Sequence, residues 1–87
     1  AHVSFISIGF GNLINMDRVL VLTGPESSPI KRLIQDARER GVLIDASSGR
    51  KTRAVLVLDS DHVVLSSLAP DDILRRSQES VEGVKDV

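Results

Sequence analysis

The sequence predicts an α+β domain: a mostly antiparallel β-sheet with one packed α-helix at about 29–40 and a short C-terminal helix. Three observations carry that expectation. Short aliphatic runs recur between clusters of Gly, Asn, Asp and Ser, the pattern of strands and turns. Ile30, Leu33, Ile34 and Ala37 instead repeat at helical spacing. With 87 residues the chain supports one domain, placed at 1–77, with 78–87 as a polar, flexible C-terminal tail.

Val3 to Phe10 is apolar apart from Ser4 and Ser7 and reads as the first strand, closed by Gly9-Phe10-Gly11, whose glycines suit a bend. Pairing resumes at Asn12–Ile14, and Asn15-Met16-Asp17 turns the chain into Arg18–Thr23. That strand is apolar on both faces, so it is either central in the sheet or covered by a partner. Ser28 as N-cap and Pro29 as first helical residue open the helix, and Gly41 closes it after Arg40. Val42–Asp45 is a short strand, Ala46–Thr52 a loop and Arg53–Leu58 a strand. Asp59-Ser60-Asp61 makes a tight turn from which His62–Ser66 returns. Ala69-Pro70-Asp71-Asp72 begins a last helix, anchored by Ile73 and Leu74 and ending near Ser77.

Hydrophobic residues make up 41% of the chain, nearly all of them Val, Leu and Ile; Phe5 and Phe10 are the only aromatics. A domain of this size buries only about 60% of its unfolded surface, and without cysteine no disulfide or thiolate metal site reinforces it. Abundant aliphatic residues in so thin a core predict burial against other copies of the chain. No apolar run reaches the roughly 18–20 residues of a membrane span. No secretory signal pattern is present, so a cytoplasmic protein is expected.

The net charge of −1 argues at first against nucleic acid, but the charge is segregated. Between Arg18 and Arg53 eight Lys/Arg face four Asp/Glu, whereas from Asp59 onward three basic residues face seven acidic ones. The densest basic stretch is Ser47-Ser48-Gly49-Arg50-Lys51-Thr52-Arg53. Arg50 and Arg53 offer bidentate forks for phosphate or a guanine edge, Lys51 a point charge, and Ser48 and Thr52 hydroxyl donors. The competing reading is a solvated basic loop. Arg18, opening a strand, reaches an edge of the sheet and is a stronger candidate than the helix cations Lys31 and Arg32. Arg32, Asp36 and Arg40 are spaced for i, i+4 ion pairs.

Other motifs offer less chemistry. Gly9-Phe10-Gly11 lacks the third glycine of a dinucleotide fingerprint and is read as a bend, with Phe10 in core or interface before a base-stacking platform. Asp59, Asp61 and His62 match no metal-ligand spacing, and a turn accounts for them. His2, His62 and scattered serines form no recognisable catalytic constellation. Neither an enzyme nor a cofactor or metal is expected, and no small-molecule substrate is evident.

Several ungapped blocks, in order, carry a resemblance: Ile8-Gly9-Phe10-Gly11-Asn12, Pro25-Glu26-Ser27-Ser28-Pro29-Ile30-Lys31-Arg32, Gln35-Asp36-Ala37-Arg38, Ile44-Asp45-Ala46 and Gly49-Arg50-Lys51-Thr52-Arg53-Ala54-Val55, then Asp59-Ser60-Asp61-His62-Val63 and Leu65-Ser66. From Ser4 to about Arg76 the chain resembles the RemA family, bacterial regulators of extracellular matrix genes. The resemblance implies a DNA-binding transcriptional activator of biofilm matrix genes. It also implies a ring-shaped homo-oligomer carrying basic residues on its periphery.

By that likeness Arg18, Arg50, Lys51 and Arg53 contact double-stranded promoter DNA, with Lys31, Arg32, Ser48 and Thr52 as additional candidates. Lys51 stands where the family commonly has Arg, which keeps the charge and loses the fork. Ser48 stands where a larger side chain is often found. Repeating a loop of three cations around a ring multiplies its contacts and suits curved or A/T-rich DNA. The alternative is a structural, scaffolding homo-oligomer without a nucleic-acid role.

Overall fold

Two uninterrupted aliphatic runs organise the molecule, because a strand buried on both faces needs apolar side chains in both directions. A computed structural model describes the backbone of residues 4–85 and the side chains through Glu79. His2, Val3 and the last two positions of the expected tail, Asp86 and Val87, lie outside the described residues. In chain order the elements are β1 (Phe5–Ser7), β2 (Leu13–Asn15), a 3-10 turn (Met16–Arg18), β3 (Val19–Thr23) and α1 (Ser28–Arg40). β4 (Leu43–Asp45), β5 (Ala54–Leu58), β6 (Val63–Ser66) and α2 (Pro70–Lys85) follow.

The main sheet has the order β3-β5-β6-β4. β5 pairs antiparallel with β3 and with β6. β4 pairs parallel with β6, so the expectation of a mostly antiparallel sheet holds with one parallel pair. On one face Val55, Val63 and Leu65 pack with Ala37, Ile30, Leu33 and Ile34 of α1. On the other, Ala54, Leu56 and Val64 pack with Ile6, Ile8 and Ile14 of the β1–β2 hairpin and with Ile73 of α2. The alternation along β5 and β6 thus feeds two core layers, each fully buried aliphatic side chain contributing about 1.5–3 kcal/mol over exposure. Ser66, fully buried, donates its hydroxyl to the Ile8 carbonyl at 2.8 Å and accepts the Leu68 amide at 3.1 Å, tying hairpin to sheet.

Three expectations need correction. β3 is an edge strand, not a central one, and a bulge between Val19 and Val21 leaves Leu20 70% exposed. Of the two readings open for that strand, the sheet order removes the central position. The helix N-cap is Ser27, whose Oγ accepts the Ile30 amide at 3.4 Å, so Ser28 is already helical. Two adjacent serines satisfy the capping pattern equally, and Pro in the first turn needs no amide partner in either register.

α2 is not short: it runs 16 residues, to Lys85. Ile73 is fully buried, and Arg76 donates from Nη1 to the Ser7 carbonyl at 3.1 Å, fixing the first turns to β1. Asp71 and Asp72 favour the helix start through the dipole. Once nucleated, the helix extends through residues that favour it, among them Gln78, Glu79, Glu82 and Lys85.

Candidate nucleic-acid interface

The loop from Ala46 to Arg53 joins β4 to β5 and holds its three cations on a tightly braced backbone. Asp45 Oδ1 accepts the Ser47 amide at 3.0 Å and the Ser47 hydroxyl at 2.5 Å, and Ser47 is buried. These two hydrogen bonds hold the Asp45 carboxyl below its ordinary value, with a smaller contribution from the Arg38 charge. The Arg50 amide returns to the Ser47 carbonyl at 3.0 Å, closing a turn whose central residues Ser48 and Gly49 have φ of +53° and +77°. Positive φ at both central positions is the pattern of a type I′ turn. At the far end the Arg53 amide donates to the Ser66 carbonyl at 2.8 Å. Arg50, Lys51 and Arg53 all remain exposed, and Thr52 is half-buried.

A second turn of the same kind stands beside the first. The Asn12 amide donates to the Gly9 carbonyl at 3.0 Å across Phe10 (φ +54°) and Gly11 (φ +77°). Asn12 Nδ2 braces this turn through the Gly9 carbonyl at 3.0 Å and reaches the Ala46 carbonyl at 3.5 Å, bridging the two loops. The Arg50 guanidinium lies over the Phe10 ring, 5.5 Å from its centroid. Phe10 is 54% exposed, so of the two positions expected for it, core or interface, it does not occupy the core. Phe10, Arg50, Lys51, Arg53 and Ser67 line an open cleft of about 310 Å³. Lys51, Thr52 and Arg53 also border a second cleft at the α2 N-terminus, where the carboxylates of Glu26 and Asp71 oppose them.

The other candidate cations lie apart from this loop. Arg18 Nη1 is 3.0 Å from Asp59 Oδ2, and the Asp59 amide donates to the Arg18 carbonyl at 2.9 Å. The pair closes the end of the β3–β5 ladder opposite Arg53. The five residues of β5 separate Arg53 from Asp59, roughly 20 Å over six steps, so one chain does not gather Arg18 and the loop into a single patch. Lys31 and Arg32 are exposed on α1, on the other face of the sheet from the β1–β2 hairpin, and line neither cleft. Of the expected helix ion pairs, Asp36–Arg40 forms at 3.3 Å. Ser48 is exposed at the tip of its turn.

His62 Nδ1 lies 2.8 Å from the Ser60 hydroxyl within the β5–β6 turn, where Asp61 takes φ +71°. Among the described residues no group of three or more His, Cys, Asp or Glu is placed to hold a metal, and no helix is long and apolar enough to cross a membrane. Sequence reasoning missed the Asp45–Ser47 clamp and the Phe10–Arg50 contact. The first was signalled by Asp-x-Ser spacing, the second only by two X-Gly pairs with no visible link between them.

The fold and loop define a small α+β protein that displays a braced basic loop from one end of its main sheet. The chain belongs to the RemA-like family, extracellular matrix regulatory protein A-like, whose model matches residues 5–76. It is 55% identical over 74 residues to extracellular matrix regulatory protein A of Bacillus subtilis, covering 85% of this chain and 83% of that one. A relative in Alkaliphilus oremlandii is also 55% identical over 74 residues, covering 85% and 80%. One in Shouchella clausii is 49% identical over 84 residues and covers 97% of each chain.

Proposed function

We propose that this chain is a DNA-binding transcriptional regulator, an activator of biofilm matrix genes, acting in the cytoplasm as a ring-shaped homo-oligomer. The observation that carries the reading is the loop itself. Arg50, Lys51 and Arg53 are held outward by two hydrogen-bonded anchors on a protein of net charge −1. Phosphate recognition needs this arrangement: exposed cations on a backbone that loses little further freedom on binding. Arg18, some six base pairs' length from the loop at about 3.4 Å per step, supplies a further contact along the same duplex or from an adjacent copy. Lys31, Arg32, Ser48 and Thr52 are secondary contacts. The family description supports matrix genes as the target.

Exposed apolar residues support assembly. Leu20 and Val21 on the β3 edge, Ile44 on the β4 edge and Leu13 in the hairpin are all large and exposed. Three phosphate contacts from one loop bind weakly, and repetition in a closed oligomer raises the total through effective concentration. The same apolar residues favour a second reading, a scaffolding homo-oligomer without nucleic acid. A gel shift with curved, A/T-rich promoter DNA, run beside light scattering, separates the two. The proposal expects Arg50→Ala to weaken the shift sharply, leaving binding measurable only at low salt, with the oligomer mass unchanged. Dissociation of the oligomer with DNA binding spared would make the loop a subunit interface.

A further inference from the structure

Phe10 occupies a backbone conformation that a bulky side chain rarely adopts. Its φ of +54° is left-handed, where Gly or Asn would sit with less strain. The ring gains little by burial, being 54% exposed, and it is one of only two aromatics in the chain. Its neighbours explain where it points. Gly9 and Gly11 take positive φ on either side, and Asn12 Nδ2 locks the turn to the carbonyl of Ala46 at the root of the basic loop. The outcome is a ring beneath the Arg50 guanidinium at 5.5 Å, at the wall of the cleft that also holds Lys51 and Arg53.

We propose that Phe10 is a positioning residue for DNA recognition: its ring holds the Arg50 guanidinium over the cleft, with the N–H fork free for a phosphate or base edge. This role rests on the DNA-binding reading and assigns a function to a residue that carries no charge. A guanidinium stacked on a ring keeps its five donors in plane and unused. Arg50 makes no ion pair among the described residues, so the aromatic face is what restrains an otherwise mobile side chain. An exposed cation–π contact contributes enough to change affinity about twofold to fivefold per site, more when several sites act together.

The test is a double-mutant cycle in the full chain, read by salt-titrated binding to promoter DNA. Phe10→Ala is expected to weaken binding at least twofold, Phe10→Tyr and Phe10→Trp to restore it, and Phe10→Ala to add nothing once Arg50→Ala is present. Because the chain has no Trp or Tyr, Phe10→Trp gives a single emission signal, expected to change when DNA binds and to change less in the Arg50→Ala background. Additive effects of Phe10→Ala and Arg50→Ala would overturn the positioning role while leaving DNA binding in place. Lost affinity accompanied by altered oligomer mass would make Phe10 an interface residue and overturn it too. No measurable wild-type affinity for DNA would instead remove the DNA reading, and this role with it.

Discussion

Arg18 and Asp59 form an ion pair of 3.0 Å at one end of the β3–β5 ladder, with the five residues of β5 between Asp59 and Arg53. The cation that immediately precedes β3 is therefore held by a carboxylate from the β5–β6 turn. Both side chains are substantially exposed, so the pair adds at most about 1 kcal/mol to stability. Its larger effect is on the availability of Arg18 to an external anion.

Asp59→Asn is expected to release Arg18 and remove one repulsive charge. DNA affinity should rise severalfold at low salt and fall more steeply with salt, by up to about one unit of slope for each further phosphate that Arg18 neutralises. Binding isotherms at several salt concentrations measure both. Unchanged affinity would show that Arg18 does not meet the DNA.

Gly49→Ala places a side chain at φ +77°. It should cost about 1 kcal/mol or more and weaken DNA binding by disturbing the turn. Ser48→Gly, at φ +53°, should be neutral or mildly stabilising, because it removes a Cβ from a left-handed position. Urea midpoints for the two variants should move in opposite directions or differ clearly in size.

The Asp45 carboxyl is held below its ordinary value by the Ser47 hydroxyl and amide. Its folded pKa is thus lower than its unfolded one, so the stabilisation is fully present above about pH 4, the ordinary carboxylate range. It is lost as pH falls through the depressed value. Asp45→Asn should be less stable than the parent at neutral pH, and the gap should close in acid. Denaturation profiles of both proteins across that range provide the comparison.

Ser66→Ala removes the hydroxyl that satisfies the buried Ile8 carbonyl. The expected loss is about 1–3 kcal/mol, seen as a lower denaturant midpoint. Folded protein should keep its DNA affinity, since Ser66 is fully buried.

Much of the fold was legible because its causes are local. β5 and β6 are buried on both faces, which leaves uninterrupted aliphatic runs, and the α1 stripe of Ile30, Leu33, Ile34 and Ala37 announces one packed face. The edge position of β3 was not legible. A strand awaiting a partner and a strand buried in its own sheet carry the same apolar residues. The length of α2 was hidden because a polar contact from Arg76 to the Ser7 carbonyl, 69 positions away in sequence, anchors it. The basic loop could be read directly, residue by residue. Its bracing could not, since the Phe10 ring and the Arg50 guanidinium meet only when two turns 40 positions apart pack together. Composition likewise signalled excess apolar surface without locating it at Leu20, Val21, Ile44 and Leu13.

The salt dependence of promoter binding by the wild-type protein bears most directly on the claim of repeated basic loops. One chain offers Arg50, Lys51, Arg53 and Arg18, which together neutralise at most about four phosphates, giving a slope near −3.6 in log affinity against log salt. A homo-oligomer engaging DNA through several loops predicts a slope clearly steeper than about −4, which Arg50→Ala should flatten. A slope no steeper than about −3.6, the single-chain limit, or one unchanged by Arg50→Ala, would contradict repeated loops.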